Sequence, residues 1–145
     1  MRRPVGVTSL SLFFLIGGLI AGLAVVSLLD PGSMLEPMWR LNPRGHQGLA
    51  AVHPWGALLL GAACAGCLAA GIGLWMLQPW GRTAAIVVLS LQMAGDVVNA
   101  ASGTEWRAAI GVPIVVALLA YLTRPSVRAV FQDTGERKHV RDRAR

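Results

Sequence analysis

The chain has 145 residues, of which 54% are hydrophobic and 14% charged, with a mean hydropathy of +0.57. This is far from an ordinary soluble composition and leaves no stretch outside the apolar runs long enough to bury a separate core. The net charge of +6 and the pI near 11 invite a nucleic-acid reading, yet the basic residues flank apolar runs, which marks membrane topology instead.

Four apolar runs organise the sequence, over residues 5–29, 49–77, 83–101 and 107–123. A bilayer core about 30 Å thick needs roughly 20 apolar residues to cross as a helix, and backbone amides in lipid must find partners within the segment. The expectation is an all-α integral membrane four-helix bundle over residues 1–132, with an interfacial loop between its first two helices. Residues 133–145 carry five basic and three acidic groups and are expected to form a disordered cytoplasmic tail.

The arginines give the expected orientation. Arg2, Arg3, Arg82, Arg124, Arg128, Arg137, Lys138, Arg141, Arg143 and Arg145 fall on one side, against Arg40, Arg44 and Arg107 on the other. The positive-inside rule then puts both termini in the cytoplasm. A single lysine against twelve arginines fits GC-rich bacterial coding, and so a bacterial inner membrane. The first run is longer than the core of a secretory signal and lacks a small-residue cleavage site, so it reads as a retained anchor.

In the first run, Gly18 and Gly22 make a G-x-x-x-G spacing, expected to admit a neighbouring helix closely. The loop from Asp30 to Pro43 mixes Met, Leu and Trp with Glu36 and Arg40 and is cut by Pro31, Pro37 and Pro43. It is expected on the membrane surface with at most one or two helical turns. The second run is small on nearly every face, from Gly61 through Gly73, which places it at the bundle centre. Pro113 is expected to kink the fourth run. All five tryptophans (Trp39, Trp55, Trp75, Trp80 and Trp106) sit at run boundaries, as an aromatic belt requires. Residues 126–132 read as a short interfacial helix with Val127, Val130 and Phe131 towards lipid.

Few residues carry chemistry. Asp96 is the only acid inside a run, and Gln92, Asp96 and Asn99 share one helical face. A single acid without a second titratable group at depth builds no proton relay. A tie from Asp96 to Arg107 or His53 is the structural alternative. Cys64-Ala65-Gly66-Cys67 has redox spacing, but it lies deep in a span without a second cysteine pair, so both thiols read as small apolar groups. His46, His53 and Glu36 follow no metal-binding spacing, and no nucleophile elbow, phosphate loop or paired carboxylates occur. No catalytic residue, metal or cofactor is expected. The candidate binding residues are Asp96, Asn99, Gln92, His53, Arg107, Glu105 and Trp39, gathered at the outer rim with Arg40, Arg44 and His46.

The segments Glu36-Pro37-Met38-Trp39-Arg40-Leu41-Asn42-Pro43, Gly95-Asp96-Val97-Val98-Asn99, Ile110-Gly111-Val112-Pro113 and Leu122-Thr123-Arg124-Pro125 resemble small four-span bacterial inner-membrane proteins. That resemblance implies a topology and no activity. The functional expectation is a non-enzymatic accessory or regulatory component whose partners are the bilayer and another membrane protein or itself. The alternatives are an oligomeric small-solute or ion carrier using Asp96 and Asn99, and an enzyme acting on a lipid or quinone at the outer rim.

Overall fold

The computed structural model describes residues 4–52, 54–101 and 108–132, and every regular element in them is helical. The elements are α1 (Val5–Leu29), a 3-10 segment (Glu36–Leu41), α2 (Pro43–Ala51), α3 (Trp55–Trp75), α4 (Pro79–Ala101) and α5 (Ala108–Thr123). A last helix, α6 (Pro125–Gln132), is bent 55° from α5. Helices α1, α3 and α4 are long and apolar enough to cross a membrane, and α5 with α6 makes a fourth candidate if the bent pair is one span. The protein is thus a small multi-span membrane protein.

Helix order follows from which residues touch. Gly18 faces Leu68 and Gly71 faces Leu15, so α1 and α3 run antiparallel. Gly66 lies against Val88 and Gly73 against Gly81, so α3 and α4 do too. Arg82 reaches Leu122 and Asp96 reaches Gly111, which makes α4 and α5 antiparallel. Tyr121 covers Gly6, bringing α5 back beside α1. One end of the bundle thus holds the start of α1 and the tight α3–α4 turn (the turn end). The opposite end holds the 30–54 connection (the loop end).

Lipid tails are as apolar as leucine, so burial alone gives helices in a bilayer no reason to associate. Contact distance and interhelical hydrogen bonds decide. The Gly18/Gly22 pair serves this purpose within the chain. A Cβ on Gly18 would stand 2.8 Å from the Leu68 side chain, and one on Gly22 would stand 3.3 Å from Cys64 Sγ. Two donors lock the same interface. Ser11 Oγ donates to the Gly71 carbonyl at 2.7 Å, and Cys64 Sγ donates to the Gly18 carbonyl at 3.2 Å. Small residues also open α3 to α4, where the Gly73 and Gly81 backbones meet directly.

The α3–α4 turn is closed by a Schellman motif. The Gln78 N–H bonds the Gly73 carbonyl at 2.9 Å and the Leu77 N–H bonds the Leu74 carbonyl at 3.1 Å. The residue between, usually glycine, is Leu77 with φ +53°. Its strain of about 1–2 kcal/mol is offset by packing of its side chain on the bundle core. Arg82, at the start of α4, donates from Nε to the Leu122 carbonyl at 2.8 Å, placing a cation on the negative end of α5.

Three sequence expectations change. The second run, 49–77, is not one helix. It stops at Ala51 and restarts at Trp55, because Pro54 has no N–H to continue the α2 ladder. Helix α2 is a separate element, started by Asn42, whose Oδ1 accepts from the Gly45 N–H at 2.9 Å, with Pro43 as first residue. The third run begins four residues early, at Pro79. Val127 and Phe131 of α6 do not face lipid. They are buried with Val7, Leu10, Leu74 and Leu122, because the bend at Pro125 folds α6 across the turn end.

Two outcomes follow for stability in mixed micelles. Gly81→Ala should cost about 2–3 kcal/mol through backbone overlap, whereas Gly61→Ala, whose added methyl meets nothing, should be neutral or slightly stabilising. Leu77→Ala should be more destabilising than Leu77→Gly by about 1 kcal/mol, since alanine keeps the strain and loses the packing. Equal losses at residue 77 would show that its left-handed backbone carries no strain.

Candidate functional site

The rim residues fall in two places. The first is the connection between α1 and α3. Trp39 is pinned there by its indole N–H, which donates to Ser27 Oγ at 3.1 Å, and its ring stacks on His46 with centroids 4.7 Å apart and planes 19° apart. Ser27 lies buried near the end of α1, so this bond ties the connection to the bundle. Beside it opens a cavity of about 540 Å³ whose lining includes Ser33, Glu36, Trp39, Arg40, His46 and Gln47. Asp96 and Asn99 do not line it.

The second place is α4. Gln92, Asp96 and Asn99 stand at i, i+4 and i+7 on one face, which continues the line of Ala85, Val88 and Leu89. In the turn-end half this face is packed, with Ala85 fully buried and Val88 against Gly66. In the loop-end half it is not covered, for Gln92 and Asn99 are exposed and Asp96 is half-buried. The facing line on α3 behaves the same way. Gly73, Ala70 and Gly66 pack against α4, whereas Trp55 and Leu59 farther along are 68% and 65% exposed. Helices α3 and α4 therefore meet in one half and part in the other, leaving a cleft with one polar wall and one apolar wall.

Asp96 is held at the edge of that cleft. Gln92 Nε2 donates to Asp96 Oδ1 at 3.0 Å, while Asp96 Oδ2 rests over Gly111 of α5, where a Cβ would stand 2.8 Å away. Without a side chain at Gly111 the carboxylate reaches the α5 backbone. Two residues later Pro113 interrupts the α5 ladder, since it has no N–H. Gln92 lies about 13 Å from the loop end of α4, at ~1.5 Å per residue, well inside the apolar thickness. The stripe thus places an amide at that depth and an acid nearer the loop end, where a lipid neighbour is costly.

Three candidate residues, His53, Glu105 and Arg107, lie outside the described residues, and with them the expected ties to Asp96. Cys64 and Cys67 are free thiols, and Cys64 is engaged with Gly18. Among the described residues no group of three or more His, Cys, Asp or Glu is placed to hold a metal ion. Ser27, Ser33 and Gly111 were not singled out by sequence. Ser27 carried a usable signal, being a hydroxyl inside an apolar run. Gly111 carried none until its neighbour across the interface was known.

Compared with known proteins, the chain matches no family model, no curated protein and no solved structure. The resemblance of its sequence segments to four-span proteins therefore identifies no family, and what stands is the packed set of candidate spans.

The Asp96–Gly111 contact gives a thermodynamic cycle. Gly111→Ala should destabilise the bundle by at most about 1 kcal/mol, because the atom it displaces is the tip of the Asp96 side chain. The same change in an Asp96→Ala background should cost much less. Equal costs in both backgrounds, measured by unfolding in mixed micelles, would show that the two residues are not coupled.

Proposed function

We propose that this protein is a non-enzymatic accessory component of a membrane assembly, and that its cleft between α3 and α4 receives a transmembrane helix of another membrane protein. The single observation behind this reading is the exposure of Gln92 well inside the apolar length of α4. Apolar helix faces need only lipid. An amide at that depth needs donors and acceptors beyond its one bond to Asp96, and an adjacent helix with Ser, Thr, Asn or Gln supplies them at about 1 kcal/mol per bond. The opposite wall, with Trp55 and Leu59 exposed, offers apolar surface to the same guest.

The topology belongs to this proposal. Both termini face the cytoplasm of a bacterial inner membrane, supported by the arginines at 82, 124 and 128 on the turn end and the fewer basic residues at the loop end. The cleft then opens towards the outer leaflet.

A second reading, a small-solute or ion carrier, draws support from Asp96, an ionisable group half-buried beside the same cleft. One copy has an opening in one half and dense packing in the other, so a pathway would require rearrangement or an oligomer.

A photoreactive residue at Leu59 should yield one discrete protein adduct in native membranes, while one at Leu12, on the lipid side of α1, should yield lipid adducts alone. Lipid adducts alone at both sites would refute the partner reading, and an adduct with a second copy would make the assembly homomeric. In sealed vesicles, Asp96→Asn should leave ion flux at background, like the unaltered protein. An ion-dependent flux abolished by Asp96→Asn in a still-folded bundle would establish the carrier instead.

A further inference from the structure

We infer that the cavity beneath the α1–α3 connection binds the headgroup of a zwitterionic phospholipid, with Arg40 taking the phosphate and Glu36 the ammonium.

Two observations carry this. First, Glu36 and Arg40 line the same cavity of about 540 Å³, and among the described residues neither forms an ion pair. Opposite charges four residues apart that leave each other unpaired suit a ligand that carries both signs.

Second, a cavity of about 390 Å³ adjoins the first and shares Glu36 and His46 with it. Its other walls are largely apolar, from Leu28, Leu29, Pro31 and Ala50. It lies where the apolar run of α1 ends at Leu29 and Asp30, which in a crossing helix is headgroup depth. A polar chamber that leads into an apolar one at this depth matches a glycerophospholipid, headgroup in the first and glycerol with the first acyl carbons in the second. A free phosphoester would use the first chamber alone.

The walls are preorganised. Trp39 is fixed by Ser27 and by its stack on His46, so the 3-10 segment presenting Glu36 and Arg40 is anchored to α1 before any ligand arrives. Arginine is suited to bidentate phosphate contact, and Glu36 on the neighbouring wall discriminates a headgroup with a cation from one without.

The experiment is native mass spectrometry of the full chain released from detergent with equal amounts of phosphatidylethanolamine, phosphatidylcholine and phosphatidylglycerol. Phosphatidylethanolamine, whose ammonium can donate to Glu36, should be retained about tenfold over phosphatidylglycerol, the scale of one charge-assisted hydrogen bond, with phosphatidylcholine, which has no N–H, between them. Arg40→Gln should lose about tenfold in retention of all three, and Glu36→Gln should abolish the preference while leaving phosphatidylglycerol retention intact. Both residues are exposed, so helicity by circular dichroism should be unchanged in either variant. Excess phosphoethanolamine in solution should fail to displace the lipid. Equal retention of all three lipids, or a preference indifferent to both variants, would overturn the site. Displacement by the soluble headgroup would overturn the lipid assignment in favour of a free phosphoester.

Discussion

Helices dissolved in lipid hold together only where their backbones come close, and in this chain the distribution of small residues decides where that happens. Along the middle of α1 and α3, glycine, serine and cysteine bring the backbones together, from Ser11 beside Gly71 to Gly22 beside Cys64. Between α3 and α4 the small residues meet in one half only, at Gly73 with Gly81, with Ala70 and Ala85 fully buried in the same half. Beyond Val88 the α4 face becomes Gln92, Asp96 and Asn99, opposite Leu59 and Trp55. Side chains of that size and polarity do not admit the same approach. The bundle is therefore tight at the turn end and parted at the loop end, and the cleft is a consequence of composition along two helices.

The turn end is closed by more than packing. Leu77 holds the sharp reversal, Arg82 caps α5, and α6 folds Val127 and Phe131 into the core below. Arg82 serves two ends with one side chain: its charge belongs to the basic side of the topology, and its Nε–H satisfies a carbonyl at a helix terminus where four are left without intrahelical donors. Closure at one end and an anchored connection at the other leave the proposed helix-binding cleft between α3 and α4. The cleft and the loop cavity are separate, so a partner helix and a lipid headgroup would not compete for the same residues.

Much of this was legible in the sequence. Apolar length located α1 and most of α3 and α4, the Gly18/Gly22 pair announced a packing face, and Gln92, Asp96 and Asn99 announced a shared polar face. Other features were illegible for physical reasons. Pro54 sits inside an apolar run, and hydropathy does not register a missing N–H, so α2 merged with α3. Val127 and Phe131 carry the same i, i+4 pattern whether an apolar stripe meets lipid or protein, and only the 55° bend decides between them. The reason Asp96 stays near α5 is the absence of a side chain at Gly111, a partner that pattern alone does not pair with it. The loop cavity depends on tertiary contacts between Ser27, Trp39 and His46, distant enough in sequence to leave no periodic trace.

The central claim is that α3 and α4 touch in one half of the bundle and part in the other. Disulfide formation in a Cys64→Ala, Cys67→Ala background measures it directly. Ala69→Cys with Ala84→Cys, bracketed by the Gly66–Val88 and Gly73–Gly81 contacts, should cross-link readily under mild oxidation in bilayers, and Leu59→Cys with Gly95→Cys should require a long bifunctional reagent. Equally fast disulfide formation at both pairs would mean that the helices are parallel and closed throughout, and would contradict the account.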